Sequence, residues 1–449
     1  MKLQTRHIID HAFSGMSFFS VFLLSASLII ILAPIFAQGI GALVFKGTVE
    51  FRRLEFEQFN RGTKENIDRE RAAVQPYREK LYRYMADFQA QSDNNEIPLS
   101  RELKNDFKEL KSLLRDLLGP APGDPEPVMM RQKYGKTRWD KAVETMNRIL
   151  YMEKWDYSDP NAMGKKVLVH RAKEYNGTAL AGFFPYLENN RENLVRPRLT
   201  FYWRFLSDAS FDAHMFGGIG AEVLGTFYLV LGTMLFAVPM GVTAAIYLAE
   251  FARENSKIVS LLRVFISTLA GVPSIVFGLF GLAFFINTVK VSDSKSVLAG
   301  SLTLALLVLP TIIRAAEEPI RAVPRTYKEA ALSLGASKLH MVLTVLLPAA
   351  LPGVLTGIVI SMGRAAGETA PIIFTAAVSV GNPLSFFETL NQPTPALSWN
   401  IYNLVTEHEA VEQIRHVQFG MVFTLVLLVL LLNLAAIILR ARITKKLRG

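Results

Sequence analysis

The chain has no cysteine. That absence excludes disulfides, thiolate metal sites and cysteine nucleophiles, although it assigns no segment to a redox compartment. A block of one charge sign is also missing. The formal net charge of +10 could suggest nucleic acid, so its distribution matters. Residues 46–213 hold 30 Lys+Arg against 26 Asp+Glu, a solvated surface of mixed sign without a basic patch or a base-stacking motif. The remaining charges flank apolar runs, which fits membrane orientation, and no nucleic-acid partner is expected.

Three motif fragments are incomplete or misplaced. Gly135-Lys136-Thr137 imitates the end of a phosphate-binding P-loop, but Met130 stands where its first glycine belongs. His408-Glu409-Ala410-Val411-Glu412 begins like a zinc-protease helix and lacks the second histidine. Asn176-Gly177-Thr178 has the spacing of a glycosylation acceptor and is read as coincidence. The chain is therefore expected to hold no ATPase, metal or cofactor, and to do no covalent chemistry.

What is present is apolar sequence in long runs. A helix rises about 1.5 Å per residue, so about 18 or more apolar residues cross a hydrocarbon core of about 30 Å. The first such run covers 13–45 and is too long for the apolar part of a signal peptide, which predicts an uncleaved first span. Five more are predicted at 221–251, 258–289, 297–313, 341–378 and 419–439, the second of them interrupted at Gly271-Val272-Pro273. Lys2, Arg6, Arg253, Lys257, Arg263, Arg314, Arg321, Arg325, Lys328, Lys338 and Arg440 fall on one side of this pattern. That places both termini in the cytoplasm.

The expected organisation is an N-terminal segment with the first span at 1–45, an outward, mainly helical soluble domain at 46–213, and a core with spans two to six at 214–449. Within the soluble domain, helices are predicted at 65–88, 99–118 and 138–155, with a breaker at Gly119-Pro120-Ala121-Pro122. The fold class is an all-α membrane protein.

A cytoplasmic loop, about 317–340, joins spans four and five. Thr326 with Glu329 three residues later has the spacing of a capping box. Gly335 suits the left-handed residue that ends a helix, and Ser337 can cap the next. A short exposed helix there is suited to docking into a groove on a partner.

Span five carries Arg364 and Glu368, four residues apart on the expected helix and near the middle of its apolar stretch. A charge at the bilayer centre costs at least about 2.5–3.5 kcal/mol, so such residues usually face a pathway or a partner. Guanidinium presents paired N–H groups that match an oxyanion. Glu368 can balance its charge and accept a hydrogen bond from protonated phosphate. A private ion pair that locks two helices is the alternative. Gly353 with Gly357, and Gly363 with Gly367, have the small-residue spacing of close helix packing. Glu222, at the start of span two, is read as interfacial.

Two resemblances now enter. Glu329-Ala330-Ala331, Gly335 and Val345-Leu346-Leu347-Pro348 resemble the EAA signature of ABC-importer permeases, with Val345 where isoleucine is usual. The run Arg364-Ala365-Ala366-Gly367-Glu368-Thr369-Ala370-Pro371 resembles the PstA branch of phosphate ABC permeases, as does Pro273-Ser274-Ile275-Val276-Phe277-Gly278-Leu279. The likeness implies an inner-membrane permease fold of six spans, in contact with membrane lipid. It implies a phosphate path through Arg364, Glu368 and Thr369, and coupling to an ATPase through Glu329, Ala330, Ala331 and Gly335. Implied partners are a PstC-like second permease, two PstB-like subunits that hold ATP and magnesium, and a periplasmic PstS-like phosphate-binding protein. An importer of sulfate, molybdate or phosphonate, and a non-transporting membrane sensor, are the rival readings. The 46–213 insertion departs from shorter relatives and receives no role.

Overall fold

The computed structural model describes residues 3–94, 101–156, 164–253 and 256–448. Lys2, an expected orientation cation, and Leu99, the expected start of a helix, lie outside them. The chain divides into two compact units, Met1–Ala42 with Trp203–Gly449, and Leu43–Tyr202. Residues 203–213, expected in the soluble domain, thus belong with the spans.

The larger unit is helical. Among the described residues, five helices are long and apolar enough to cross a membrane: His11–Leu43, Gly220–Phe251, Val297–Ala322, Lys338–Gly367 and Arg415–Lys445. A sixth candidate, Lys257–Gly271 with Ser274–Thr288, is bent by 102°. The bend falls on Val272-Pro273, where proline removes a backbone donor and pushes its predecessor out of the helical region. Val297–Ala322 is central: Leu304, Val308, Ile312, Ala316 and Ile320 are buried along it. It packs on Gly220–Ile246 and on Leu347–Gly367. The first and last spans meet through an edge-to-face contact of Phe36 and Phe423 at 5.2 Å. Outward-facing Phe18, Phe22, Leu231, Leu235, Leu431 and Leu434 are exposed, a surface suited to hydrocarbon.

Three boundaries differ from expectation. The fourth span runs to Ala322, beyond 313, so the loop after it is short. The fifth breaks at Gly367, and a separate short helix, Ala370–Thr375, follows. A proline at 371 cannot continue the hydrogen-bond ladder from the turn before it. The stretch 379–418, expected as a loop, contains a helix at Leu397–Thr406.

The smaller unit is mainly helical, with two antiparallel strand pairs that the all-α reading omits. Val44–Gly47 pairs with Arg198–Phe201, and Tyr151–Asp156 with Lys165–His170. The helix expected over 138–155 therefore stops at Leu150. Its continuation pairs across to Val167 and Val169, whose branched side chains favour the extended state. The other two predicted helices are Lys64–Asp93 and Arg101–Leu118. Leu81, Phe88, Leu110, Leu117, Met146 and Phe184 form the core between helices. The buried Arg171 guanidinium is paired with Asp106 and Glu109. Burial, and then the hydrogen bond it donates to Asp106, push the Tyr175 phenol up.

One close approach in the larger unit fixes a residue type. A Cβ on Gly225 would lie 2.0 Å from the Pro395 carbonyl oxygen and 2.4 Å from Thr394 Oγ1. Overpacking costs about 1–3 kcal/mol where neighbours can yield, and more against backbone. Gly225→Val is therefore expected to lower the melting temperature of the purified protein by several degrees and to cut its monodisperse yield. An unchanged melting curve would contradict this packing.

Candidate functional site

Arg364 sits in the last turn of Leu347–Gly367, and Glu368 is the extended residue just past its end. The pair therefore sits where the span is interrupted, with Glu368 just past the helix end and not on the helix face expected. Arg364 Nε donates to Glu368 Oε1 at 3.2 Å, and Nη1 lies 3.5 Å from Thr311 Oγ1 on the central helix. The arginine side chain is 42% exposed and that of the glutamate 19%. The other guanidinium N–H groups have no acceptor among the described residues. A cation is thus half-balanced by one carboxylate and still presents donors, an arrangement able to hold an oxyanion and let it go.

Thr369 is held from behind. Its Oγ1 donates to the Ser398 carbonyl at 3.3 Å, while Ser398 Oγ donates to the Glu368 carbonyl at 3.0 Å. Thr311 and Ser398 were not expected from sequence. Nothing local marks them, because they reach the site across 53 and 30 residues of chain.

The glycines divide unequally. A Cβ on Gly353 or Gly357 would lie 2.5 Å from Pro319 or 2.3 Å from Ala315, so these two carry the close approach to the central helix. Gly363 would make only an ordinary 3.5 Å contact with Val429, and nothing lies within 4 Å of Gly367. The packing role expected at 363 and 367 falls on the earlier pair.

The loop after the fourth span forms a helix at Arg325–Ser333. Pro324 precedes it with extended ψ, and Thr326 lies inside the first turn, so the expected capping box does not form. With Pro324 at the cap position, Thr326 is already helical and its hydroxyl comes too late in the chain to serve as the cap. Gly335 has φ +85°, and Ser337 accepts from His340 N at 3.2 Å, both as expected. Glu329, Ala330 and Ala331 all lie on this helix. Ala331 packs against the cluster of Ile320, Val323, Met341 and Val342. Tyr327 and Leu332 are exposed and Leu334 is 90% exposed, an apolar edge unusual for solvent.

This helix is fastened at its base. Lys328 pairs with Glu250 at the end of the second span. Glu317 takes Arg263 at 2.8 Å and Arg321 at 2.9 Å, and both arginines also donate to the Leu248 carbonyl at 3.3 Å. The exposed helix is thus tied to the end of span two, and spans two, three and four are tied to one another beside it.

The motif fragments find structural uses. Lys136 pairs with Asp116 at 2.9 Å, and its amide donates to the Leu117 carbonyl at 3.0 Å. His408 Nε2 donates to the Ala213 carbonyl at 2.9 Å. Glu222, expected at the interface, is enclosed by protein. It is 1% exposed and bonded to His214 and Asn400.

Residues 237–449 match the family model described as "Binding-protein-dependent transport system inner membrane component". The "Probable ABC transporter permease protein YqgI" of Bacillus subtilis is 35% identical over 277 residues, 60% of this chain and 91% of that protein. The "Phosphate transport system permease protein PstA 1" of Mycobacterium tuberculosis is 34% identical over 232 residues, 52% of this chain and 72% of that one. A chain of the inward-facing MetNI methionine ABC transporter overlays with a TM-score of 0.39 at 19% identity, covering 50% of this chain and 94% of that chain. On the strength of the sequence relatives, the chain belongs to the family of binding-protein-dependent transport system inner membrane components, the permeases of ABC transporters.

Proposed function

We propose that the chain is a permease subunit of an ATP-driven phosphate importer and forms the phosphate path with a second, PstC-like permease. The observation that carries this reading is the Arg364–Glu368 pair at an interrupted span, with donors left over for an anion. Interrupted helices are tolerated in membranes where they line a cavity or are covered by protein. Phosphate that carries a proton donates it to Glu368 while its other oxygens take the guanidinium N–H groups. Sulfate has no such proton, so its oxygens and the carboxylate repel. The PstA relative, named for phosphate transport, supports the same substrate.

Import needs parts from other chains. A periplasmic, PstS-like protein delivers phosphate, and two PstB-like subunits bind ATP with magnesium and close on it. The exposed edge of Arg325–Ser333, with Tyr327 and Leu332, and Leu334 just beyond it, docks in their cleft. Closure moves this helix, and the Lys328–Glu250 and Glu317 pairs pass the motion to the spans. The subunit lies in the inner membrane with both termini cytoplasmic.

The substrate is tested by uptake of radiolabelled phosphate into vesicles that contain the assembled complex. Unlabelled phosphate is expected to compete fully, and a 100-fold excess of sulfate to leave more than half of the uptake. Equal competition by the two anions would overturn the phosphate reading in favour of a general oxyanion importer.

A further inference from the structure

The helix Leu397–Thr406 makes polar contacts in two directions. Towards the fifth span, Ser398 forms the reciprocal bonds with Glu368 and Thr369 described above. Towards the second span, Thr226 Oγ1 accepts from Leu397 N at 2.9 Å, and Asn400 Nδ2 donates to Glu222 Oε1 at 3.0 Å. Asn400 Nδ2 also donates to the Ser379 carbonyl at 3.0 Å. The same Glu222 oxygen lies 2.8 Å from His214 Nε2. One turn of helix thus bridges the break in span five and the start of span two.

The anchor is costly to build. Glu222, His214 and Asn400 are all buried. His214 Nδ1, Glu222 Oε2 and Asn400 Oδ1 have no hydrogen-bond partner among the described residues. His214 is delivered by three successive non-glycine residues with positive φ, namely Asp212 at 47°, Ala213 at 50° and His214 at 70°. Left-handed backbone at such residues is uncommon and tends to persist where the surroundings force it. An apolar trio of similar volume would serve stability as well or better. Such a buried polar cluster is weak evidence for stability, and it can instead serve to fix the direction of one helix.

We propose that Ser398 and Asn400 are positioning residues for the anion path, holding the Glu368–Thr369 break at a set geometry with the buried Glu222 carboxylate as anchor. Neither touches the substrate. The inference rests on the reading of Arg364 and Glu368 as the path, and its test includes a readout that needs no substrate.

The chain lacks cysteine, so A366C introduces a single thiol at a position that is 2% exposed beside the break. The rate of its reaction with a membrane-impermeant maleimide reports opening of the break in the fully assembled complex. Ser398→Ala and Asn400→Leu are each expected to speed labelling about tenfold and to slow phosphate uptake about tenfold at equal complex abundance. Ser398→Thr, which keeps the hydroxyl, is expected to restore both. Labelling at the parent rate in Ser398→Ala would overturn the inference, as would equal loss in Ser398→Thr and Ser398→Ala. Normal uptake in Glu368→Gln would instead defeat the functional reading, and the labelling rates would still decide whether the clasp holds the break.

Discussion

Arg364→Gln will reduce phosphate uptake by about 100-fold or more while the complex still assembles. Hydrogen bonds to charged groups contribute about 1.5–3 kcal/mol each, and glutamine cannot replace two parallel guanidinium bonds. The loss is compounded by Glu368, whose charge then faces an incoming anion without a counter-charge. Arg364→Lys is expected to recover only part of the rate, since ammonium keeps the charge and lacks the planar fork. The check is initial uptake rate normalised to the amount of complex recovered through a tagged partner. Near-normal uptake in the glutamine variant would mean that the pair only locks the fifth span to Thr311 and its helix. Assembly should survive because the side chain is substantially exposed and neither neighbour is left deeply buried.

The second large effect is expected at Gly335→Val. Its φ of +85° lies where a side chain clashes with backbone, and a branched one clashes most. The turn also carries two backbone bonds, from Gly335 N to Leu332 O at 3.0 Å and from Ala336 N to Ala331 O at 3.1 Å. Forcing the residue to negative φ swings Arg325–Ser333 away from its base. Uptake is expected to fall at least tenfold, together with the ATP hydrolysis that the binding protein stimulates. Gly335→Asn is the control, because asparagine enters the left-handed region far more readily, and it should retain most activity. If valine and asparagine behave alike, the turn geometry is not what couples the two subunits.

Both residues were legible in the sequence because their signals are local. Apolar runs mark spans through length alone, Val272-Pro273 marks a bend through sterics, and Gly335 followed by Ser337 marks a turn and a cap. The break at Gly367 was legible only in part, as interrupted backbone bonding near Pro371. Proline inside a membrane helix is often accommodated by neighbouring groups, so its presence did not say whether the helix would stop. Thr326 misled for a related reason: its spacing to Glu329 fits a capping box, but Pro324 had already set the start of the helix.

What was least legible is contact across distance. The Asn400–Glu222 bond joins residues 178 apart, and no pattern within either segment announces the other. Glu222 looked interfacial because it opens a span, where carboxylates commonly meet water. The split of 138–155 into a helix and a strand has a similar origin. Up to Leu150 the helical period holds, and beyond it only the partner strand at Lys165–His170 decides the conformation.

The break beside Arg364 has a mechanical consequence. Lys338–Gly367 is a rod of 30 residues, about 45 Å long at a rise of about 1.5 Å per residue. If the break acts as its fulcrum, a tilt of about 5° carries the far end through about 4 Å, but moves a residue three positions from the fulcrum by only about 0.4 Å. Arg364 occupies that near-stationary position. Under the proposed function, a broad stroke at the far end of this rod would change which side of the path is open while Arg364 and Glu368 keep nearly the same separation.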